Sequence, residues 1–135
     1  MSLSILMYCV ILFLLMAANF SLVQWNSQGF KNHGPEFLWQ MNQNNNLPSV
    51  ICLQETFYSC EEDIIDIENY NISDFSSRGT KRGGTAIYCR SDIKYTKVNF
   101  TSKFEISAVN IIHDKKKLLI FMIQITMQFE KITMI

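Results

Sequence analysis

The sequence predicts an α/β domain in which two layers of mixed sheet carry flanking helices. Early in the chain, a helical segment near residues 34–41 lies between two short runs rich in apolar residues, at 21–26 and 49–55. Further short strands, separated by turn residues, follow from residue 70 onward. The hydrophobic fraction of 48% and the aromatic fraction of 13% are ample for one packed core.

The first strand is predicted at residues 21–26, and the first helix is predicted to begin at Gly34-Pro35 and to end at the polar run from residue 42. Residues 21–26 are short and apolar enough to favour a strand over a helix. Gly34-Pro35 followed by an acid predicts a helix start, because proline is tolerated at the first helical position and an acid is favourable near the positive end of the helix dipole. The buried stripe of this helix is expected to be Phe37, Leu38 and Met41.

The second strand is predicted at residues 49–55, which read SVICLQE and form a nearly continuous apolar run. This pattern is typical of a strand that is covered on both faces. A strand, helix, strand order implies a crossover, and ligands of such sheets collect at the carboxyl ends of the strands. We therefore expect Asn26 and Glu55 to lie at the same rim of the sheet.

The rest of the chain alternates short apolar runs with turns. A short amphipathic helix is predicted at residues 61–69, and a loop is predicted at residues 78–84 before the pair Gly83-Gly84 leads into a core strand. Strands are predicted at residues 70–72, 85–90, 94–100, 104–112 and 118–125, with a hairpin loop at 113–117.

Charges are segregated along the chain although the net charge is zero. Residues 55–77 contain seven acidic and no basic residues, whereas residues 78–117 contain ten basic and three acidic residues. An acidic stretch followed by a basic one suits a cation site beside a surface that meets phosphate. Two solvated faces of opposite sign explain the same pattern, so charge alone does not choose between them.

The four cysteines and the amino terminus bear on location. Cys9, Cys52, Cys60 and Cys89 have no C-x-x-C spacing, and we expect reduced, mostly buried thiols in an intracellular chain, nuclear or cytoplasmic. Residues 5–17 form an apolar run of 13 residues, too short to span a bilayer but suited to a signal-peptide core. Residues 1–20 are therefore an apolar extension or a signal-like segment, and secretion is the alternative location.

Four segments in one order carry a family resemblance: LVQWNSQGFKN, PSVICLQET, YNI and RGGTAIYCRSDI. Over residues 21–121 the chain resembles the amino-terminal half of the endonuclease/exonuclease/phosphatase (DNase I-like) superfamily. The last segment resembles the form found in non-LTR retrotransposon endonucleases. The resemblance implies a DNase I-like four-layer α/β sandwich, truncated to about its first half, and phosphodiester hydrolysis in DNA with Mg²⁺ or Mn²⁺.

The same resemblance assigns roles to individual residues. Glu55 matches the family's metal-binding glutamate, whose carboxylate is the kind of ligand that a hard divalent cation prefers. Asn26 matches an asparagine that helps to place the metal and the scissile phosphate, and Gln54 is expected to support Glu55. The alternatives are a surface glutamate at a strand end, a turn asparagine and an outward-facing glutamine. Weak contacts to the nucleic-acid backbone are expected from Arg78, Lys81 and Arg82, for which a solvated loop is the alternative.

The resemblance ends near residue 121. The family usually continues N-x-Y-x-P-P after the strand at 118–121, whereas this chain reads MIQITM, and residues 122–135 are predicted to be a divergent tail. The family's histidine-aspartate pair, Asp-x-Asn segment and tyrosine have no counterpart here, so we expect the 135-residue chain to be inactive. A half sandwich is also expected to expose apolar side chains, namely Val50, Ile51, Leu53, Ile87 and residues 118–125.

Three functions are compatible with these observations. The first is a fragment of a retrotransposon-type DNA endonuclease. The second is a secreted DNase or a phosphoester phosphatase of the same fold. The third is a non-catalytic remnant that binds nucleic acid through a basic surface, and the salt dependence of binding would identify it.

Overall fold

The computed structural model describes residues 20–43, 47–80, 82–99 and 101–124. The apolar run at residues 5–17, Cys9, Lys81 and the tail from residue 125 lie outside the described residues. Those described form one helix and seven strands, with a short 3-10 turn at Glu61–Asp63. In chain order they are β1 (Leu22–Asn26), α1 (Phe30–Gln43), β2 (Val50–Gln54), β3 (Tyr70–Ser76), β4 (Thr85–Arg90), β5 (Lys94–Lys97), β6 (Glu105–His113) and β7 (Lys116–Gln124).

The strands form two sheets. The first sheet has the order β1-β2-β4-β3 and is mixed, because β1 and β2 are parallel whereas β4 runs antiparallel to both β2 and β3. The second sheet has the order β5-β6-β7 and is antiparallel. Helix α1 makes the crossover between β1 and β2, as a strand, helix, strand order requires for parallel neighbours.

Two apolar clusters cover opposite faces of the first sheet. The intersheet core joins β2 and β4 to the second sheet and contains Val50, Cys52, Ile87, Cys89, Val109, Ile111 and Met122. The helix core lies on the other face and contains Phe30, Ile51, Leu53, Tyr58, Ala86 and Tyr88, with Phe37, Leu38 and Met41 of α1 packed against it. Strand β2 is therefore covered on both faces, which confirms the prediction made from its continuous apolar sequence.

The predicted exposure of four core residues is wrong. Val50, Ile51, Leu53 and Ile87 each have 0% of their surface exposed. Each sheet strand alternates its side chains between two faces, and both faces of the first sheet find a partner within the chain, namely α1 and the second sheet. Each large aliphatic side chain buried in this way contributes about 1.5–3 kcal/mol of transfer free energy.

Apolar side chains remain exposed on the outer face of the second sheet. Ile112 is 48% exposed, Leu119 is 51% exposed and Phe121 is 53% exposed. These residues alternate with partly buried ones such as Ile120, which packs against the intersheet core. The expectation of an exposed carboxyl-terminal strand is therefore correct for one face of β7 and wrong for the other.

Helix α1 begins four residues earlier than predicted, at Phe30, and Pro35 lies inside it. The backbone N–H of Phe30 donates to Thr56 O (3.1 Å), and the N–H groups of Asn32 and His33 donate to Gly29 O. The Phe30 ring is fully buried and lies over Gly34, where a Cβ would come within 3.1 Å of the ring. Burial of this ring thus starts the helix early, although Pro35 removes one helical hydrogen bond.

The segment at residues 61–69 forms a 3-10 turn instead of the predicted helix. Two buried tyrosines satisfy the backbone of Ile65 in place of helical hydrogen bonds. The N–H of Ile65 donates to the hydroxyl of Tyr58 (3.3 Å), and the hydroxyl of Tyr88 donates to Ile65 O (2.8 Å). Burial raises the pKa of both phenols, so they stay neutral donors and acceptors.

Asp74 connects the two sheets. The pairing of β5 with β6 ends at Lys97 opposite Val109. The N–H of Ala108, the residue before Val109 in β6, therefore has no partner in β5. The Asp74 carboxylate, 7% exposed, accepts this N–H at 2.7 Å and lies 3.3 Å from the ammonium of Lys97. A register shift between Ile72 and Asp74 in β3 accompanies this position, as expected of a β-bulge that redirects a side chain.

The prediction of reduced, mostly buried thiols is confirmed for Cys52 and Cys89, whereas Cys60 is a free but exposed thiol. Burial raises the pKa of both Cys52 and Cys89. Among the described residues, no helix has the length and apolar character needed to cross a membrane.

Iodoacetamide is expected to label Cys60 in the native protein and to leave Cys52 and Cys89 unlabelled until denaturant is added. The thiolate is the reactive form, and burial suppresses both access to these two thiols and their ionisation. Peptide mass spectrometry gives the labelled fraction at each position. Rapid labelling of Cys52 without denaturant would contradict the closed intersheet core.

Candidate metal centre

The ends of β1 and β2 bring the two predicted site residues to one rim. In the parallel register, Asn26 is the partner of Gln54, so Glu55 follows directly beyond it. Glu55 is partly buried, as is Asn26. The juxtaposition predicted from the strand, helix, strand order is therefore present, because parallel strands end at the same edge of a sheet.

The backbone of Glu55 departs from strand geometry. Its φ is 51°, in the left-handed region that non-glycine residues rarely adopt. Its carbonyl accepts hydrogen bonds from the hydroxyl of Ser27 (2.9 Å) and from Gly29 N (2.8 Å), and its N–H donates to Gln124 Oε1 (3.1 Å). These contacts offset a backbone strain of about 1–3 kcal/mol and fix the peptide that carries the carboxylate.

The two residues after Glu55 are held by the glycine pair. Thr56 N donates to Gly84 O (3.3 Å), and Phe57 N donates to Gly83 O (3.0 Å). Both glycines have positive φ, and a Cβ at Gly84 would come within 2.7 Å of Thr56 Oγ1. Glycine is favoured at both positions because φ is positive and because a Cβ would meet neighbouring side-chain atoms, those of Thr56 at Gly84 and those of Arg78 and Glu105 at Gly83.

Glu105 holds the glycine loop from the second sheet. Its carboxylate accepts hydrogen bonds from Gly84 N (3.0 Å), Arg78 N (3.0 Å) and the guanidinium Nε of Arg78 (3.2 Å). The Glu105 side chain is 11% exposed, so this contact is better shielded from solvent than an ordinary surface ion pair. Glu105 thus connects β6 to the loop that borders Glu55.

The expectations for the basic loop have mixed outcomes. Arg78 directs its Nε to Glu105, so it has a structural role in the loop, and its contact with nucleic acid stays a prediction. Arg82 is exposed, as the prediction requires. Lys81 lies outside the described residues.

Asn26 and Gln54 make contacts of their own. Asn26 Oδ1 accepts a hydrogen bond from Gln28 N (3.3 Å), which is the turn contact given above as the alternative. The same oxygen has a second lone pair, so this contact does not prevent it from binding a ligand. Gln54 donates from Nε2 to Ile123 O (3.0 Å) and accepts from Gln24 Nε2 (3.4 Å), so it supports the rim by joining strands.

Three residues at this rim are absent from the sequence prediction: Ser27, Glu105 and Gln124. Strand β7 ends at Gln124, within the strand predicted at 118–125 and three residues past residue 121, where the family resemblance ends. Alternation along β7 was a usable signal, because it places Gln124 on the same face as Leu118, Ile120 and Met122, towards the first sheet. Position 124 is also where the spacing of N-x-Y-x-P-P would place the tyrosine.

The donor set at the rim fits a hard divalent cation. Glu55 offers a carboxylate and Asn26 an amide oxygen, and Mg²⁺ binds through one or two carboxylates while it keeps several waters. Within residues 20–43, 47–80, 82–99 and 101–124, no group of three or more His, Cys, Asp or Glu side chains is placed to hold a metal ion.

Comparison with known families assigns this fold to a class of proteins that act on phosphoester bonds. The sequence profile of the endonuclease/exonuclease/phosphatase family matches residues 23–120, from β1 into β7. The chain belongs to this family, and its two sheets with one covering helix are consistent with a truncated DNase I-like fold. No curated protein sequence matches the chain.

Proposed function

We propose that the chain is part of a divalent-metal-dependent phosphodiesterase of the retrotransposon endonuclease type, with DNA as its substrate. The observation that carries this proposal is the placement of Glu55. It follows a strand whose apolar residues are all buried, beside Asn26, and hydrogen bonds from the turn after β1, from β7 and from the glycine loop hold the backbone around it. Family membership supports phosphoester chemistry, and the segment RGGTAIYCRSDI supports the retrotransposon type.

We assign each residue of the rim a separate role in binding the metal and the substrate. Glu55 binds Mg²⁺ or Mn²⁺ through its carboxylate, and Asn26 completes the protein's share of the ligands or donates to a phosphate oxygen. The cation supplies charge stabilisation at the phosphoryl oxygens. The exposed Arg82 is a candidate contact to the nucleic-acid backbone. An intracellular location goes with the free thiols Cys52, Cys60 and Cys89.

We further propose that the 135-residue chain does not cut DNA by itself. One carboxylate and one amide bind a cation but do not activate the attacking water, and water activation contributes a large part of the catalysis in such sites. Glu55 and Asn26 therefore provide metal binding but not the water activation that DNA cleavage also requires.

Replacing Glu55 with glutamine is expected to weaken Mn²⁺ binding by about tenfold or more, because the charged ligand is lost while the side-chain shape is kept. Electron paramagnetic resonance of free Mn²⁺ gives the dissociation constant. Glu62→Gln is the matched control, since Glu62 is an exposed acid in the 3-10 turn, and it is expected to bind within about twofold of the unchanged chain.

The unchanged chain and Glu55→Gln also test whether the protein cuts DNA. Supercoiled plasmid incubated with the unchanged chain and Mg²⁺ is expected to remain uncut. Nicking that Glu55→Gln abolishes would show that the chain holds a complete site. Equal Mn²⁺ binding by the unchanged chain and Glu55→Gln would reject the metal role of Glu55, and salt-sensitive DNA binding without metal would then favour the non-catalytic alternative.

A further inference from the structure

Two amide hydrogen bonds join the ends of β2 and β7, and β7 accepts in both. Gln54, the last residue of β2, donates from its side chain to the backbone carbonyl of Ile123 (3.0 Å). The backbone N–H of Glu55, the residue after β2, donates in the same direction to the side-chain oxygen of Gln124, the last residue of β7 (3.1 Å). The first sheet and the second sheet are thus fastened to each other at the position of the candidate metal ligand.

Gln124 binds Glu55 immediately beyond the last residue pair of β2 and β4. Pairing between β2 and β4 ends with Gln54 opposite Thr85, so the N–H of Glu55 receives no partner from β4. The carbonyl of Glu55 is bound from the β1 side, by Ser27 and Gly29. With its N–H held by β7 and its carbonyl held by the β1 loop, Glu55 is fixed in its left-handed conformation from two opposite directions.

The conformation of this peptide also sets the direction of the Cα–Cβ bond from which the Glu55 carboxylate extends. With φ at 51°, a small change in backbone conformation would turn the Cα–Cβ bond of Glu55 away from the rim, and the left-handed region is narrow for a residue with a Cβ. The side-chain oxygen of Gln124 contributes here as a hydrogen-bond acceptor, a role that a carboxylate oxygen on a side chain of the same length also fulfils.

We infer that Gln124 is the positioning residue of Glu55, and that its side-chain oxygen sets the divalent-cation affinity of the rim by holding the Glu55 peptide in place. The inference rests on the proposed metal role of Glu55. It assigns Gln124 no contact with the cation itself. Outer residues that orient a ligand commonly change metal affinity by about 10–100-fold when they are removed.

The test compares three variants of the full chain. Gln124→Met keeps the length of the side chain but removes the acceptor, and it is expected to weaken Mn²⁺ binding about tenfold and to speed hydrogen exchange at the Glu55 amide. Gln124→Glu keeps an acceptor and is expected to preserve the protection of that amide without loss of affinity. Gln40→Met removes an exposed amide of α1, whose side chain donates to Glu36, and it should change neither quantity.

Three readouts separate positioning from a loss of folding. Hydrogen exchange at Tyr88, in the helix core, reports whether the fold persists, and affinities are measured well below the thermal midpoint of each variant. Weaker Mn²⁺ binding with Tyr88 still protected supports the inference. Unchanged affinity in Gln124→Met, or an equal loss in Gln124→Glu, overturns it.

The outcome for Gln124 is distinguishable from the outcome for the proposed function. If Glu55→Gln weakens Mn²⁺ binding and Gln124→Met does not, the metal role stands and the positioning role is wrong. If Glu55→Gln has no effect, the metal role is wrong, and with it the inference that Gln124 sets metal affinity.

Discussion

Replacing Asp74 with alanine is expected to lower the free energy of unfolding by about 2–3 kcal/mol, because the buried N–H of Ala108 loses a charged acceptor and no water replaces it. The partner Lys97 is 58% exposed, so it regains hydration and adds little to the loss. Urea denaturation followed by circular dichroism measures the change. Asp74→Asn keeps an oxygen acceptor for Ala108, and a smaller loss is expected.

Asp92 provides the matched control for Asp74. Its carboxylate is also paired, with Arg90, and the hydrogen bond from Arg90 lowers the pKa of Asp92. The side chain is 63% exposed, however, so Asp92→Ala is expected to cost only about 0–1 kcal/mol. Equal losses for Asp74→Ala and Asp92→Ala would mean that Asp74 does not bridge the sheets in solution.

Replacing both Leu119 and Phe121 with threonine is expected to raise the soluble yield of the chain substantially at nearly unchanged stability. These two side chains form part of the exposed apolar face of the second sheet, on a strand at its edge. Such a face promotes association between chains, whereas threonine keeps the preference for a strand and removes the apolar surface. Light scattering and the binding of a dye for apolar surfaces measure the change.

Ile120 tests the same strand from its other side. Its side chain packs against the intersheet core and pairs across the sheet with Val109. Ile120→Thr is therefore expected to lower the free energy of unfolding by about 1–3 kcal/mol, since it places a hydroxyl among apolar groups. The orientation of β7 would be wrong if Leu119→Thr destabilised the protein as much as Ile120→Thr does.

The sequence was sufficient to predict the strands of the first sheet and the rim that holds Asn26 and Glu55. The apolar run before Glu55 is covered on both faces, as its sequence predicts, and the intervening helix predicts that this strand lies parallel to the first. The helix start was misplaced because the burial of Phe30 outweighs the signal from Pro35. The predicted helix at 61–69 fails for a tertiary reason, since Tyr58 and Tyr88 bind the backbone that a helix would have used.

The supports of the site were beyond prediction from local patterns. Glu105 and Gln124 bind residues outside their own sheet, and although alternation along β7 indicates the face of Gln124, it does not indicate which group that side chain binds. Ser27 reads as an ordinary turn residue for the same reason. Their roles depend on how the two sheets pack. Sequence periodicity predicts that the sheets form layers, but it does not predict which atoms of one layer contact which atoms of the other.

The contact between Glu55 and Gln124 joins positions 69 residues apart, and the contact between Glu105 and Gly84 joins positions 21 apart. Contacts between residues far apart in the chain form late in folding, because the closure entropy of the intervening loop has to be overcome first. The rim is therefore expected to acquire its final shape after both sheets have formed, as one of the last events of folding. Shortening the protein to the residues that match the family, 23–120, would remove Leu22 from β1 and residues 121–124 from β7, and with them the contact from Gln124.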